Sequence, residues 1–330
     1  MAAAGLHGPL MICGFFGVVI ALERAVAIGR GWAYLGPLFA GSGTVALVSA
    51  QATFAAMLYL AGSTILLIAT ADVLRRQSAL FTLTLVAGAA CFAIGNALWL
   101  AGWSVHETVP WWLAFLILTI AGERLELSRL LPPSPVAKRV FAVLLAIILI
   151  GLAGGRTGWG SVLFAAGLLG LAGWLLKQDI ARHTVRRQGL TRFIAVCLLS
   201  GYLWLALGSI VILVAGGLAP GTPSYDAALH ALALGFVFSM VFGHAPIIFP
   251  AVLRVAVPYS PSFYLALVLL QVSLVVRLIG DATGQFDWLR AGGLLNAVSL
   301  IVFLLGTIVA VVRGQLAHHR PSRKSPGQTI

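Results

Sequence analysis

Two histidines, His7 and His230, occupy positions from which they could hold a metal ion inside a membrane. His7 opens a long apolar segment in L-H-G-P-L-M, and His230 lies near the start of another, in H-A-L-A-L-G-F-V-F-S-M. If both segments cross the membrane in the same direction, the two imidazoles lie at similar depth near the same face. Two neutral imidazoles that converge in an apolar helical bundle are suited to bind a haem iron or a copper ion. The alternative is that each histidine bonds a backbone carbonyl or water at the membrane interface.

Glycines accompany both histidines along their segments. Gly14 and Gly17 follow the first histidine, and Gly235 and Gly243 follow the second. Such faces would leave room for a flat macrocycle, and they also serve plain helix packing, because glycine lets a neighbouring helix approach closely. Gly235, Ser239 and Gly243 repeat every four residues, which predicts that the second segment is central rather than lipid-facing.

A third histidine, His244, follows His230 by fourteen residues. On a regular α-helix this spacing places the two about 40° apart around the axis and about 21 Å apart along it. His244 could therefore bind a metal near the opposite face, alone or with Met240 or a carbonyl. It could equally satisfy the backbone that Pro246 opens, because proline removes a helix donor and leaves a carbonyl without its partner. The sequence leaves both roles open.

Charged residues lie at the inner ends of the first and fifth apolar segments. These are Glu23 and Arg24 in the first, and Glu123, Arg124 and Glu126 in the fifth. Ionisable groups at membrane depth normally pair with each other or line a polar path. We therefore expect structural ion pairs that join the two helices, with proton transfer as the alternative interpretation. Arg24 or Arg124 could also hold a haem propionate, as a fixed cation does for a carboxylate.

The tenth apolar segment carries a further expected ion pair. Arg277 and Asp281 are four residues apart, so on a helix their side chains are neighbours. Polar residues within other spans, such as Asn96, Tyr202 and Gln271, more often join helices than bind a substrate. We expect these residues to be structural.

The composition restricts the protein to one class. Of its 330 residues, 60% are hydrophobic and only 9% are charged, and the mean hydropathy is +1.02. Such a chain cannot present a soluble surface, so we expect an all-α, polytopic transmembrane bundle in the lipid bilayer of the plasma (inner) membrane. The net charge of +12 does not indicate nucleic-acid binding, because the basic residues fall at segment ends and in short loops. Cys13, Cys91 and Cys197 lie singly in apolar segments, which predicts core positions.

Eleven apolar segments are read as membrane spans. They cover residues 6–28, 34–50, 53–72, 79–101, 109–130, 137–154, 159–177, 190–216, 226–252, 261–280 and 288–312. With the spans alternating, most Lys and Arg residues fall on one side, whereas only Arg156, Arg277 and Arg290 fall near the other. Positive loops stay in the cytoplasm, so the N-terminus is expected outside and the C-terminus inside. Residues 1–314 then form the membrane domain, and 315–330 are expected to be a disordered basic cytoplasmic tail.

A short internal repeat relates the first and fifth spans. Residues 20–24 read I-A-L-E-R and residues 120–124 read I-A-G-E-R, and the glutamate of each follows a histidine, His7 or His106, by 16 or 17 residues. This similarity predicts duplicated four-helix units that begin near residues 6, 106 and 226. A chance match is the alternative.

Several of these segments resemble a known family. H-A-L-A-L-G-F-V-F-S-M at His230, followed by Arg254 and then L-V-V-R-L-I-G-D, is similar to the C-terminal pattern of NnrS-type proteins. L-H-G-P-L-M-I-C-G-F-F-G-V-V-I-A-L-E-R-A-V-A and L-T-I-A-G-E-R-L-E-L-S-R-L resemble motifs of related chains and, more distantly, of haem-copper oxidase subunit I. NnrS-type proteins are polytopic membrane proteins that contain haem and copper and are linked to denitrification and nitrosative stress. Because this chain lacks the paired histidines that hold copper in an oxidase, the resemblance implies haem more than copper and argues against oxygen reduction.

The expected function is therefore haem binding, with copper as a further metal, in redox or nitric-oxide-related physiology. His7 and His230 are the favoured ligands, His244 is the next candidate, and an electron-transfer or respiratory partner is implied. A secondary transporter is the rival hypothesis, in which the proline-containing ninth helix exposes carbonyls and the buried glutamates carry protons. A non-catalytic assembly factor is a third hypothesis. The sequence contains no nucleotide-binding loop, hydrolase triad or paired-carboxylate site, so soluble enzyme chemistry is not indicated.

Overall fold

The computed structural model describes residues 3–128, 133–155 and 157–318. Within these ranges the chain is helical, without strands, and its main elements are eleven helices joined by short loops. Two are composite: α1 consists of Ala3–Pro9, a π-helical Leu10–Phe16 and Gly17–Ile28, and α9 consists of Pro223–His230, a π-helical Ala231–Phe238 and Ser239–Leu253. The others are α2 Leu35–Val48, α3 Ala52–Arg76, α4 Leu80–Leu100, α5 Val105–Leu127, α6 Pro135–Ala153, α7 Gly158–Gln178, α8 Gly189–Val214, α10 Phe263–Thr283 and α11 Phe286–His318.

The predicted class, a polytopic helical membrane bundle, is confirmed. Ten of the helices in the described ranges are long and apolar enough to cross a membrane. The exception among the eleven predicted spans is α2, because its 14 residues extend only about 21 Å, less than the hydrocarbon thickness of about 30 Å. α11 continues to His318, four residues into the predicted tail, and residues 319–330 lie outside the described ranges.

Although α2 is short, it reverses the direction of the chain. Gly14 of α1 lies beside Thr44 near the end of α2, whereas Ala21, further along α1, lies beside Gly36 near the start of α2. The Tyr59 hydroxyl of α3 donates to the Thr44 hydroxyl at 3.1 Å. α2 therefore runs antiparallel to α1 and returns the chain to the end at which α1 begins.

The helices α1, α5 and α9 run parallel to one another. His106 and Tyr225, near the starts of α5 and α9, are hydrogen-bonded at 3.1 Å, and near the other ends Arg124 lies 3.5 Å from His244. Gly8 of α1 packs beside the first residue of α5. The sequence analysis predicted this arrangement, because the first, fifth and ninth of eleven spans that alternate in direction cross the membrane the same way. These helices also begin the three proposed repeat units, whose common origin stays a prediction.

We expect the common starting end of α1, α5 and α9 to face the outside of the cell, because the basic loops are concentrated at the opposite end. Alkaline phosphatase fused at the C-terminus should then be inactive, since this enzyme requires export. The same enzyme inserted in the loop between α8 and α9 should be active. The opposite pair of activities would show that the predicted orientation is inverted.

The centre of the bundle is shared by α5 and α9. In the most apolar stretch of α5, 67% of the residues are buried, against 61% in α9 and 22% in α11. On α5, Phe115 stacks on Phe92 of α4 with 4.3 Å between the ring centroids. The three cysteines, Cys13, Cys91 and Cys197, are buried as predicted. α9 is thus central, as its small-residue stripe predicts, and α11 presents most of its surface outward.

The stripe on α9 is the packing surface for α8. A methyl group on Gly235 would overlap the Trp204 side chain, and one on Gly243 would lie 3.0 Å from the Cβ atom of Cys197. Between them, Ser239 lies beside Gly201 of α8. The prediction that small residues allow close approach at this face is confirmed.

Gly151→Ala is expected to destabilise the protein by about 1–3 kcal/mol through overpacking. Gly151 of α6 lies so close to the backbone of Phe164 in α7 that a methyl group would overlap its amide nitrogen, and backbone cannot move aside as a side chain can. Gly173→Ala is the matched control, because no atom within 4 Å of its added Cβ obstructs it. The midpoint of unfolding in one detergent measures both variants, and equal midpoints would contradict the expectation.

Candidate functional site

Each of the two helices that carry a favoured ligand contains a π-helical segment shortly after its histidine. The segment Leu10–Phe16 begins three residues after His7, and Ala231–Phe238 begins directly after His230. π-Helical turns are rare and occur frequently at functional sites, because they shift the following side chains to a different face. The same feature therefore marks both helices.

The π-helical segments of α1 and α9 contact each other through phenylalanine rings. Phe15 stacks on Phe238 with 6.2 Å between centroids, and Phe16 meets the same ring edge-on at 5.2 Å. This contact places α1 directly against α9 below the two histidines. Contact between α1 and α9 is necessary if His7 and His230 are to hold the same metal ion.

The imidazole of His230 is held in one orientation. Its Nδ1 lies 2.8 Å from the carbonyl oxygen of Asp226, which can only accept, so Nδ1 carries the proton and donates it. The Asp226 carboxylate is 3.3 Å from the same nitrogen. Nε2 has no hydrogen-bond partner among the described residues. A metal-binding histidine usually donates its other ring N–H to a carbonyl or carboxylate in this way.

The prediction that Arg277 pairs with Asp281 is wrong. The Arg277 guanidinium instead makes two hydrogen bonds to Asp226 of α9, at 2.9 and 3.0 Å. The planar guanidinium matches a carboxylate on the neighbouring helix in a two-bond geometry. Asp281 Oδ2 is buried without a partner among the described residues. The pair therefore fixes Asp226, which in turn orients His230.

His7 lies near His230 at the common starting end of their helices. It is exposed, it has no hydrogen-bond partner among the described residues, and it is close enough to interact electrostatically with His230. This electrostatic interaction agrees with the pairing of the two histidines in the sequence analysis, and their role as ligands stays a prediction. No group of three or more His, Cys, Asp or Glu side chains suited to hold a metal occurs in the described ranges.

The glycines do not form the predicted slot for a macrocycle. Protein side chains already fill the space beside them: Thr44 lies beside Gly14, Phe92 beside Gly17, and an indole beside Gly235. These glycines allow helices to pack closely, which was the alternative interpretation. Any flat cofactor would therefore have to lie at the helix ends beside the histidines.

His244 belongs to a buried polar network at the opposite end of the bundle. Arg124 makes two hydrogen bonds to Asp179, at 2.7 and 3.0 Å, and the Tyr202 hydroxyl donates to the same carboxylate at 2.8 Å. His244 Nδ1 donates to the Met240 carbonyl at 2.7 Å, which leaves Nε2 to accept from Arg124 at 3.5 Å. Both imidazole nitrogens thus have partners. His244 is occupied as a structural residue, unlike His230.

The predicted ion pairs between the first and fifth helices do not form as expected. Arg124 pairs with Asp179, which follows α7, because its guanidinium points toward α7 and α8 rather than α1. It is therefore not free to hold a propionate. Glu23, Arg24, Glu123 and Glu126 are partly buried and lack hydrogen bonds and ion pairs with described residues, although the first two and Glu126 are close enough to affect Glu123 electrostatically.

Three important residues were not identified as site residues from the sequence. Asp179 lies just after α7 and gives no signal other than being one of the few acids in the chain. Tyr202 was assigned to packing, and Asp226 was one residue of a helix start. An acid four residues before a histidine on a helix was the one local signal available for Asp226.

A family model described as Domain of unknown function (DUF8744) matches residues 1–312. No curated protein matches the chain. No solved structure matches it.

Proposed function

The chain belongs to the DUF8744 family, and since that description assigns no activity, we propose a function from the residues themselves. The protein is a haem-binding protein of the plasma (inner) membrane, with His7 and His230 as the iron ligands. Its role lies in redox or nitric-oxide-related physiology, and it exchanges electrons with a respiratory partner. The resemblance to NnrS-type proteins agrees with this proposal.

The orientation of His230 is the observation that carries the proposal. Its Nδ1–H is committed to the Asp226 carbonyl at 2.8 Å, and Nε2 has no partner among the described residues, which is the state of a histidine ready to bind a metal. The electrostatic proximity of His7, a second imidazole without a described partner, adds the second ligand. Both histidines are followed by a π-helical segment.

The donor set fits haem better than a bare metal ion. Two imidazoles alone do not complete the tetragonal coordination of copper(II), and the described residues supply no third ligand. Haem brings the remaining ligands in its own ring, so two histidines suffice. When bound, it would supply one-electron chemistry, and nitric oxide would reach the iron only by displacing one of the two histidines. His7 and His230 would hold it, Asp226 would orient His230, and Arg277 would keep Asp226 in place.

An optical spectrum of the purified protein tests this proposal, together with measurement of bound iron and copper. We expect a Soret band, a sharp low-spin pattern on reduction, and iron close to one equivalent per chain. Copper without iron would favour a different metal at the same histidines. Protein that contains neither metal, even after expression with added haem precursor, would contradict the proposal.

Proton-coupled transport is the second candidate function, favoured by Glu123. This carboxyl lies at the inner end of the central helix α5, half-buried, with no hydrogen-bond partner among the described residues. Such a group can take up and release a proton without breaking an ion pair. In liposomes, an imposed substrate or pH gradient should drive proton flux that Glu123→Gln abolishes. Flux equal to that of empty liposomes would remove this candidate.

A further inference from the structure

A cavity of about 590 Å³ lies at the starting end of α5, on the face predicted to be outside. It is formed where α4 and α6 end, where α5 and α7 begin, and where the loop between α8 and α9 passes over them. Its volume falls in the range of small-molecule sites, and its lining is largely apolar, as in such sites. None of the residues His7, His230 and His244 lines it, so it is separate from the proposed haem site.

Indole rings form much of the wall of this cavity. Trp103 and Trp111 come from the start of α5 and the loop before it, and Trp159 comes from the start of α7. Flat aromatic walls favour a flat ring as ligand, because rings stack in offset or edge-on arrangements. The three indoles in the lining therefore favour a planar group as ligand.

Two polar groups in the cavity have unused hydrogen-bonding capacity. His106 bonds Tyr225 through Nδ1 at 3.1 Å, and its Nε2 has no described partner. Ser161, on α7, has a hydroxyl without a described partner. An imidazole nitrogen and a hydroxyl can each either donate or accept a hydrogen bond. They therefore suit a ring with two oxygens that accept when oxidised and donate when reduced.

Two residues of the lining are themselves well exposed. Ile94 of α4 is 41% exposed and Trp159 of α7 is 57% exposed. Ile94 lies six residues before the end of α4, which is about 9 Å below that end. If a ligand ring is held at the polar groups, its apolar tail can pass out beside Ile94 into the bilayer.

We propose that this cavity binds the ring of a membrane-soluble quinone or quinol, with its two oxygens at His106 and Ser161. The ring lies between the indoles, and the isoprenoid tail leaves past Ile94. Tyr225, which bonds His106, directly precedes Asp226, the residue that orients His230. If the proposed haem site exists, the quinone site is therefore its neighbour, but quinone binding does not depend on haem.

Quenching of tryptophan fluorescence by decylubiquinone tests the proposal in full-length protein, in nanodiscs of phosphatidylcholine free of native quinone. We expect saturable quenching with one site per chain. His106→Gln and Ser161→Ala should each raise Kd about fivefold to tenfold, the effect of one lost hydrogen bond. Trp288→Phe is the control. Its indole is 45% exposed, compared with 57% for Trp159, but Trp288 does not line the cavity. It should leave Kd unchanged.

The outcomes separate this proposal from others. Decyl alcohol, which has the tail without the ring, should not compete; equal competition would identify a lipid site and overturn the proposal. Non-saturable quenching, or the same Kd in Ser161→Ala as in Trp288→Phe, would also overturn it. His106→Gln alone could fail by disturbing Tyr225, so the milder serine variant on a different helix decides. The Soret band tests haem binding separately, so failure of the quinone proposal leaves the haem proposal standing, and the reverse also holds.

Discussion

Asp179→Ala is expected to lower the free energy of unfolding by about 3–5 kcal/mol, because it leaves a buried cation without its partner. The side chains of Arg124 and Asp179 are only 5% and 2% exposed. The same carboxylate also accepts from Tyr202 and from the backbone amide of Ala181. A single substitution thus removes the acceptor of four hydrogen bonds, donated by three residues. Unfolding in a fixed detergent mixture measures the effect.

Asp72→Ala is the matched control for this prediction. Asp72 also pairs with arginines, Arg76 at 2.7 Å and Arg30 at 3.7 Å, but these are 53% and 50% exposed. Exposed pairs contribute about 0–1 kcal/mol, so little change is expected. Arg124→Met combined with Asp179→Asn should cost less than the sum of the single changes, because no charge remains unpaired. Equal losses in the Asp179 and Asp72 variants would show that the network does not stabilise the bundle.

His230→Ala is expected to remove the low-spin haem band or convert it to a different spectrum. His7→Ala should do the same, because each histidine supplies one of two ligands to one iron. The double variant should lose little beyond either single one, since the two residues act as a unit. Absorption spectra of the three variants, normalised to protein, measure this.

His244→Ala is the control for the histidine variants. Like His230, it lies on α9 and donates Nδ1–H to the carbonyl four residues earlier, but its Nε2 faces Arg124. It should keep the full haem band and lose some stability. A full band in His230→Ala, or loss of the band in His244→Ala alone, would move the ligand role away from the proposed pair.

The class, the helix positions and the parallel direction of α1, α5 and α9 were predictable from the sequence. Apolar run length is set by the thickness of the bilayer, so it is visible in the chain without knowledge of any contact. The stripe of Gly235, Ser239 and Gly243 also identified its face, because small side chains repeat at helical spacing. The sequence did not decide whether these glycines and Gly14 serve helix packing or make room for a cofactor.

The partners of the charged and polar groups were decided only by the tertiary structure. A guanidinium can reach carboxylates on several helices, so which of them Arg124 binds depends on which helices are neighbours. That is why it pairs with Asp179, 55 residues away in the chain, and why Arg277 pairs with Asp226 rather than Asp281. The π-helical segments left no compositional signal, since one wider turn changes no residue type. The cavity between the indoles arises where four helix ends and a loop meet, and no local pattern encodes that meeting.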